Sequence, residues 1–310
     1  MKTQTKSFAM GLLAAGFAIC AIAGYARTAM AQEDAPKAEH KGAGGHMFHM
    51  SEVRGPIRAV DLSLLGKDVS SEIVAGPANG LDSAFLIYTR MPAGAHGPKM
   101  YTLPVEHTYL VLSGELNVQL GTDKFVVKPD TLVLVHAGVP HEAWNAGSAP
   151  VTVLEVVTPA PSRDLASLMK PAEPRKIENA AQYIRTPPSI ANSTRGVNAQ
   201  MLAERKSDSP YIQERFDNVK PGNGVGPGLH VHPFDQVYFV LEGTMTLQYG
   251  LAMYQVKPNS FIIIPTGVVH HNRNDGPEFE RHVTLLLPEP EKEPFDLPVE
   301  FKPAPVRPTQ

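Results

Sequence analysis

The chain has 310 residues, enough for two domains of ordinary size. With 43% hydrophobic and 19% charged residues it can bury a core, which excludes disorder as its general state. Its 28 basic and 31 acidic side chains give a formal charge of −3 without any basic tract, so no nucleic-acid partner is expected.

Lys2 and Lys6 precede an apolar stretch from Phe8 to Gly24, and Ala29-Met30-Ala31 follows. This is the layout of an export signal cleaved after Ala31, and it fits a membrane anchor less well. Residues 1–31 are therefore expected to be removed, leaving a periplasmic or secreted chain with no membrane partner. The single cysteine, Cys20, goes with them, so disulfide and thiolate chemistry drop out. Residues 32–51 lack apolar periodicity and read as a flexible leader; His46-Met47-Phe48-His49-Met50 has copper-ligand types but is read as part of that leader.

Sliding the chain against itself by 129 positions, without gaps, aligns Pro104 with Pro233, Tyr109 with Tyr238, Gly114 with Gly243 and Gly121 with Gly250. Val127-Lys128-Pro129 falls on Val256-Lys257-Pro258, Gly138 on Gly267, His141 on His270 and Asn145 on Asn274. A constant offset across turn residues means that one order of strands and turns is used twice. The domains expected are 52–160 and 206–290, with a connector over 161–205 and a Pro-rich, extended tail over 291–310 that wraps the second domain. A short helix is expected at Lys176–Ile184 in the connector.

Within each copy, β-branched and aromatic runs such as Thr108–Leu112 and Val237–Leu241 end at Ser113-Gly114 and Glu242-Gly243, a hairpin signal. Further short strands follow at Leu116–Leu120, Lys124–Val127, Thr131–Val135 and Val151–Val156, and at Thr244–Tyr249, Met253–Val256, Ser260–Ile264 and His282–Leu287. Helical periodicity is nearly absent. The expected class is all-β, two antiparallel barrels or sandwiches in tandem with few short helices.

The second copy carries His230-Val231-His232, then Gln236, Gly243, Pro265-Thr266-Gly267 and His270. Residues two apart on a strand point to one face, so His230 and His232 project together, and His270 follows its turn at a spacing that brings in a third imidazole. Gln236 can add a carbonyl oxygen. Such a donor set suits a divalent transition metal, Fe, Mn, Ni, Cu or Zn, with positions left open for a small-molecule substrate. By parity, Tyr238 shares the face of Gln236 and is the candidate proton donor. Asn272 and Asn274 share the face of His270 and are candidate pocket residues with Arg215; Arg215 and Arg281 are possible carboxylate partners.

These residues resemble the cupin superfamily, whose motifs read Gly-x5-His-x-His-x3–4-Glu-x6-Gly and Gly-x5-Pro-x-Gly-x2-His-x3-Asn. Gly224, His230, His232, Gly243, Pro265, Gly267, His270 and Asn274 fit, while Gln236 stands at the Glu position. The resemblance implies a bicupin, with a jelly-roll barrel in each half and a metal on His230, His232, Gln236 and His270. An amide in place of the carboxylate leaves the ion a stronger Lewis acid. In the first copy Tyr101 and Leu103 replace the histidine pair, His136 replaces the turn proline, and only Tyr101, His107 and His141 remain for a second site.

Three functions are compatible with this reading. The first is an exported metal-dependent dioxygenase acting on a small aromatic or enolisable compound. The others are a non-redox lyase or isomerase of sugar acids and a non-catalytic binding or storage-like bicupin. A homodimer is also compatible.

Overall fold

The computed structural model describes residues 58–61, 71–162, 164–189, 196–222, 226–292 and 294–300. The expected signal, the leader, Gly224 and the last ten residues lie outside them. Among the described residues no helix is long and apolar enough to cross a membrane.

Two antiparallel sheets form each half. In the first, β12 (Ile184–Arg185), β8 (Leu132–Val135), β5 (Glu106–Ser113), β10 (Val151–Thr158), β3 (Phe85–Met91) and β2 (Ser71–Ala75) lie side by side in that order. They face β11 (Lys170–Pro171), β4 (Tyr101–Thr102), β9 (His141–Trp144), β6 (Leu116–Leu120) and β7 (Asp123–Val127). The second half repeats this with β1 (Arg58–Asp61), β19 (Ser260–Ile264), β16 (Asp235–Glu242), β21 (Glu280–Leu287), β14 (Gln213–Val219) and β13 (Val197–Ala203). Opposite them lie β18 (Ala252–Val256), β17 (Met245–Tyr249), β20 (His270–Arg273), β15 (His230–Val231) and β22 (Leu297–Pro298).

The fold is the all-β double barrel that the turn spacing predicts. Gly114 and Gly243 close equivalent hairpins at φ 77° and 72°. A Cβ there would sit 2.7 Å from the Pro150 carbonyl oxygen and 2.2 Å from that of Phe279, so the turn needs glycine on both counts. The connector departs from expectation. In place of a helix over Lys176–Ile184 there is a 3₁₀ turn at Ala180–Tyr183, entered through Asn179 in the left-handed region. The one α-helix among the described residues is Leu165–Leu168.

The halves exchange strands. β1, which precedes the first barrel, pairs with β19 of the second, and β12, which precedes the second barrel, pairs with β8 of the first. Side-chain parity then builds three cores. Val111, Val118 and Val133 fill the first barrel, and Tyr238, Leu247 and Ile262 fill the second. The opposite faces of the same sheets are equally apolar: Leu110, Leu134 and Leu154 meet Phe216, Phe239 and Phe261 in a core shared by both halves. This is why Tyr109–Leu112 in β5 and Val237–Leu241 in β16 read as unbroken apolar runs rather than alternating ones.

Polar residues cross the same interface in pairs. Glu106 accepts from Ser209 Oγ at 2.8 Å, and its repeat equivalent Asp235 accepts from Ser83 Oγ at 2.7 Å. Arg281, offered above as a substrate partner, pairs instead with Asp130 at 3.0 Å across this seam and stacks over Phe216. Glu214 is fully buried with Thr108 Oγ donating to it at 3.2 Å, and burial pushes its carboxyl up to about 8. Between the ordinary carboxylate range and about 8 the unfolded chain ionises while the folded chain keeps this proton. Stability therefore falls as pH rises through that window. Glu214→Gln should raise the melting temperature near pH 9 and leave it unchanged near pH 4. An equal shift at both pH values would contradict a neutral buried acid.

Candidate metal centre

β15, β16 and β20 bring the predicted ligands together. β15 carries His230, with His232 one residue past its end, and β20 pairs with β15 so that His230 faces His270 directly. The three imidazoles are 2%, 4% and 0% exposed, and their ring centroids lie 4.2–5.0 Å apart. Among the described residues they are the one His/Cys/Asp/Glu group with metal-ligand spacing, their donor atoms all within 4.8 Å of one another.

Hydrogen bonding fixes the tautomers. His230 Nδ1 bonds the Gly228 carbonyl at 2.8 Å, His232 Nδ1 that of Phe295 at 2.8 Å, and His270 Nδ1 that of Val268 at 3.0 Å. A carbonyl only accepts, so each Nδ1 carries the proton and each Nε2 presents a lone pair to the centre. His230 Nε2 and His232 Nε2 then face each other at 3.2 Å, and His270 Nε2 and Gln236 Oε1 are buried without a hydrogen-bond partner. Converging lone pairs repel, and a cation relieves them. Burial lowers the pKa of His232 and His270 below the ordinary imidazole value, keeping the neutral, ligating form. The donor set thus fits a divalent ion.

A cavity of about 290 Å³ opens beside these ligands, lined by Arg215, His232, Gln236, Leu286, Pro294, Phe295 and Asp296. Arg215 Nε donates to both carboxylate oxygens of Asp217, at 3.2 and 3.0 Å, and Nη1 donates to Gln213. Behind it, His282 Nδ1 bonds Glu280 at 2.8 Å. Burial alone would lower His282, but Glu280 and Asp217 raise it. Burial would likewise raise Asp217, but Arg215 and His282 hold it below the usual carboxylate range.

The other predicted residues divide. Tyr238 packs in the barrel core, and its hydroxyl donates to Asn272 Oδ1 at 3.0 Å; burial raises its pKa above the ordinary phenol value. Both face inward, as parity requires, but the tyrosine hydroxyl is committed to the amide. Asn274 is not a pocket residue. β20 ends at Arg273, so the parity argument stops there, and Asn274 donates to the Val219 and Glu278 carbonyls while accepting from the Gly276 amide. Asn145 makes the equivalent turn in the first barrel.

In the first barrel, Tyr101, His107 and His141 do meet, but as a closed network. His107 Nδ1 lies 3.3 Å from His141 Nε2, His107 Nε2 lies 2.9 Å from Glu155 Oε2, and the Tyr101 and Tyr109 hydroxyls are 3.0 Å apart. Thr89 completes it by donating to Glu155. His141 Nδ1 bonds the Val139 carbonyl, the arrangement of His270, and burial together with His107 lowers its pKa to about 3. None of these side-chain atoms is left buried without a partner, in contrast to His270 Nε2 and Gln236 Oε1.

Sequence reasoning missed Asp217, His282 and Asp296. For His282 a signal was present: β21 alternates Glu280, His282 and Thr284 with Val283, Leu285 and Leu287, and its polar set is the one turned into the barrel. Asp296 lies in the tail and carried no local pattern.

The Cupin domain model matches residues 87–157 and 216–285, one match in each barrel. No curated protein matches the chain. Among solved structures, a putative glyoxylate-induced protein from Pseudomonas aeruginosa aligns with TM-score 0.59 at 13% identity, over 83% of this chain and 96% of that one. Salicylate 1,2-dioxygenase from Pseudaminobacter salicylatoxidans aligns with TM-score 0.56 at 12% identity, over 74% and 83%. A variant of that enzyme in complex with gentisate aligns with TM-score 0.56 at 11% identity, over 71% and 74%. Two family matches in register with two strand-exchanged barrels identify the chain as a bicupin of the cupin superfamily.

Proposed function

We propose that this protein is a metal-dependent dioxygenase of small aromatic or enolisable carboxylates, working in the second barrel. The observation that carries the reading is the cavity. Arg215, His232, Gln236 and Asp296 line one small space together with Leu286, Pro294 and Phe295. An arginine opposite apolar walls suits a single-ring carboxylate. The likeness in fold to salicylate 1,2-dioxygenase, and to its variant with gentisate, supports the same substrate class.

A divalent ion held by His230, His232, His270 and Gln236 supplies Lewis acidity and, when redox-active, the activation of dioxygen. The chain supplies the rest. Arg215, oriented by Asp217 and Gln213, binds the substrate carboxylate and turns the ring toward the ligands. Leu286, Pro294 and Phe295 cover the ring and displace water. The Tyr238–Asn272 hydrogen bond packs beside His270 and holds that wall rigid. Export, read from residues 1–31 alone, belongs to the same proposal.

Oxygen uptake by Fe(II)-loaded protein offered hydroxybenzoates tests the reading. Consumption is expected with carboxylated rings and not with the matching phenols, and Arg215→Leu should raise KM by roughly 100-fold through loss of a charge-assisted pair. No uptake with any carboxylated ring, by protein containing stoichiometric iron, would sink it.

A further inference from the structure

The inner ligand set of the second barrel carries no negative charge. His230, His232 and His270 have their Nδ1 protons on backbone carbonyls and act as neutral donors, and Gln236 is an amide. A divalent ion on these four residues keeps its full charge in a largely buried site, which is costly unless an anion lies close.

The C-terminal tail brings one there. β22 pairs with β15 so that Pro298 lies opposite His230 and Leu297 opposite Val231. The Val299 amide donates to the Leu229 carbonyl at 2.9 Å, and Val299 packs against Val231 and Val269. On the other side of Asp296, the Phe295 carbonyl accepts from His232 Nδ1 at 2.8 Å. Asp296 is therefore pinned from both flanks, and it lies in the cavity wall beside Gln236. Its Oδ1 lies 3.8 Å from His230 Nε2, the nitrogen that presents a lone pair to the centre.

We infer that Asp296 is the acidic partner of this metal site, delivering from the C-terminal strap the carboxylate that the Gln236 position lacks. The strap and the barrel then form one metal site, and metal binding fastens residues 294–299 over the cavity. This inference rests on the metal site proposed above.

Mn(II) titration of the full chain, followed by loss of the free-ion electron paramagnetic resonance signal, tests it without reference to activity. Asp296→Asn should weaken Mn(II) binding by about 10-fold or more, within the roughly 10–100-fold range for residues supporting a metal site. Asp296→Ala removes the remaining carbonyl donor and should be at least as weak. Gln236→Glu in the Asp296→Asn background should restore affinity, since it returns a carboxylate to the same ion. Unchanged affinity in Asp296→Ala, or no recovery in the double variant, overturns the inference. His232→Ala separates the two levels of the argument. If it retains metal, the site itself is wrong; if it loses metal while Asp296→Ala binds normally, only the strap's role fails. Melting of the two Asp296 single variants without metal should match the wild type, because the Asp296 side chain is 48% exposed and takes no part in the core.

Discussion

Protein carrying His232→Ala is expected to purify folded and without metal, while the wild type holds about one ion per chain, and the variant should lack activity altogether. Removing one of three converging imidazoles takes away a donor and opens the site to water, so affinity should fall by more than the roughly 100-fold upper range typical of residues that merely support a ligand. The fold should survive, because the ring makes no contact on which the barrel closes; its hydrogen bond is to the tail at Phe295 and its stacking partner is Phe234. Elemental analysis gives the stoichiometry and thermal melting gives a second readout. Added metal should raise the melting temperature of the wild type by mass action and leave that of the variant unchanged. His271→Ala is the matched control. It follows His270 on β20, so its side chain turns to the other face of the strand and is only partly buried. Wild-type stoichiometry in His232→Ala would contradict the metal centre.

The residues of this centre were legible because each constraint is local. His230 and His232 are two apart on a strand, the Pro265–Gly267 turn fixes where His270 emerges, and the offset of 129 shows which turns are structural. Parity puts Asn272 on the inward face with Tyr238, where it meets the tyrosine hydroxyl, and does not reach Asn274, which lies one residue past the end of β20. What stayed hidden depends on contacts between distant segments. The pairing of β1 with β19 spans about 200 residues, and no pattern within Arg58–Asp61 announces it. Asp296 reaches the site only because β22 adds to β15. Glu155 closes the first barrel's network from a strand that reads as an apolar run with one acid. Arg281 looked like a strand-edge arginine free for substrate, and its partner Asp130 belongs to the other half.

Phe239→Ala is expected to cost about 3–5 kcal/mol and to lower the melting temperature on the order of 10 °C, in a single transition that takes both barrels with it. Phe239 and Phe261 are 1% and 0% exposed and stack with centroids 4.5 Å apart, inside the core that the two halves share. Truncation there leaves a void lined by residues from both barrels, which the rigid sheets on either side cannot close by small shifts. Strand exchange strengthens the coupling. The second barrel's sheet is completed by β1, which lies N-terminal to the first barrel, while β12 of the connector closes an edge of the first barrel's sheet. The first barrel, with its donors tied to one another through His107, His141 and Glu155, contributes to this joint stability through the apolar face it presents to the second barrel. Calorimetry distinguishes the cases. One broadened or split transition, with only the second half destabilised by Phe239→Ala, would show that the barrels melt independently. A single shifted peak, with calorimetric and van't Hoff enthalpies in agreement, is the expected result.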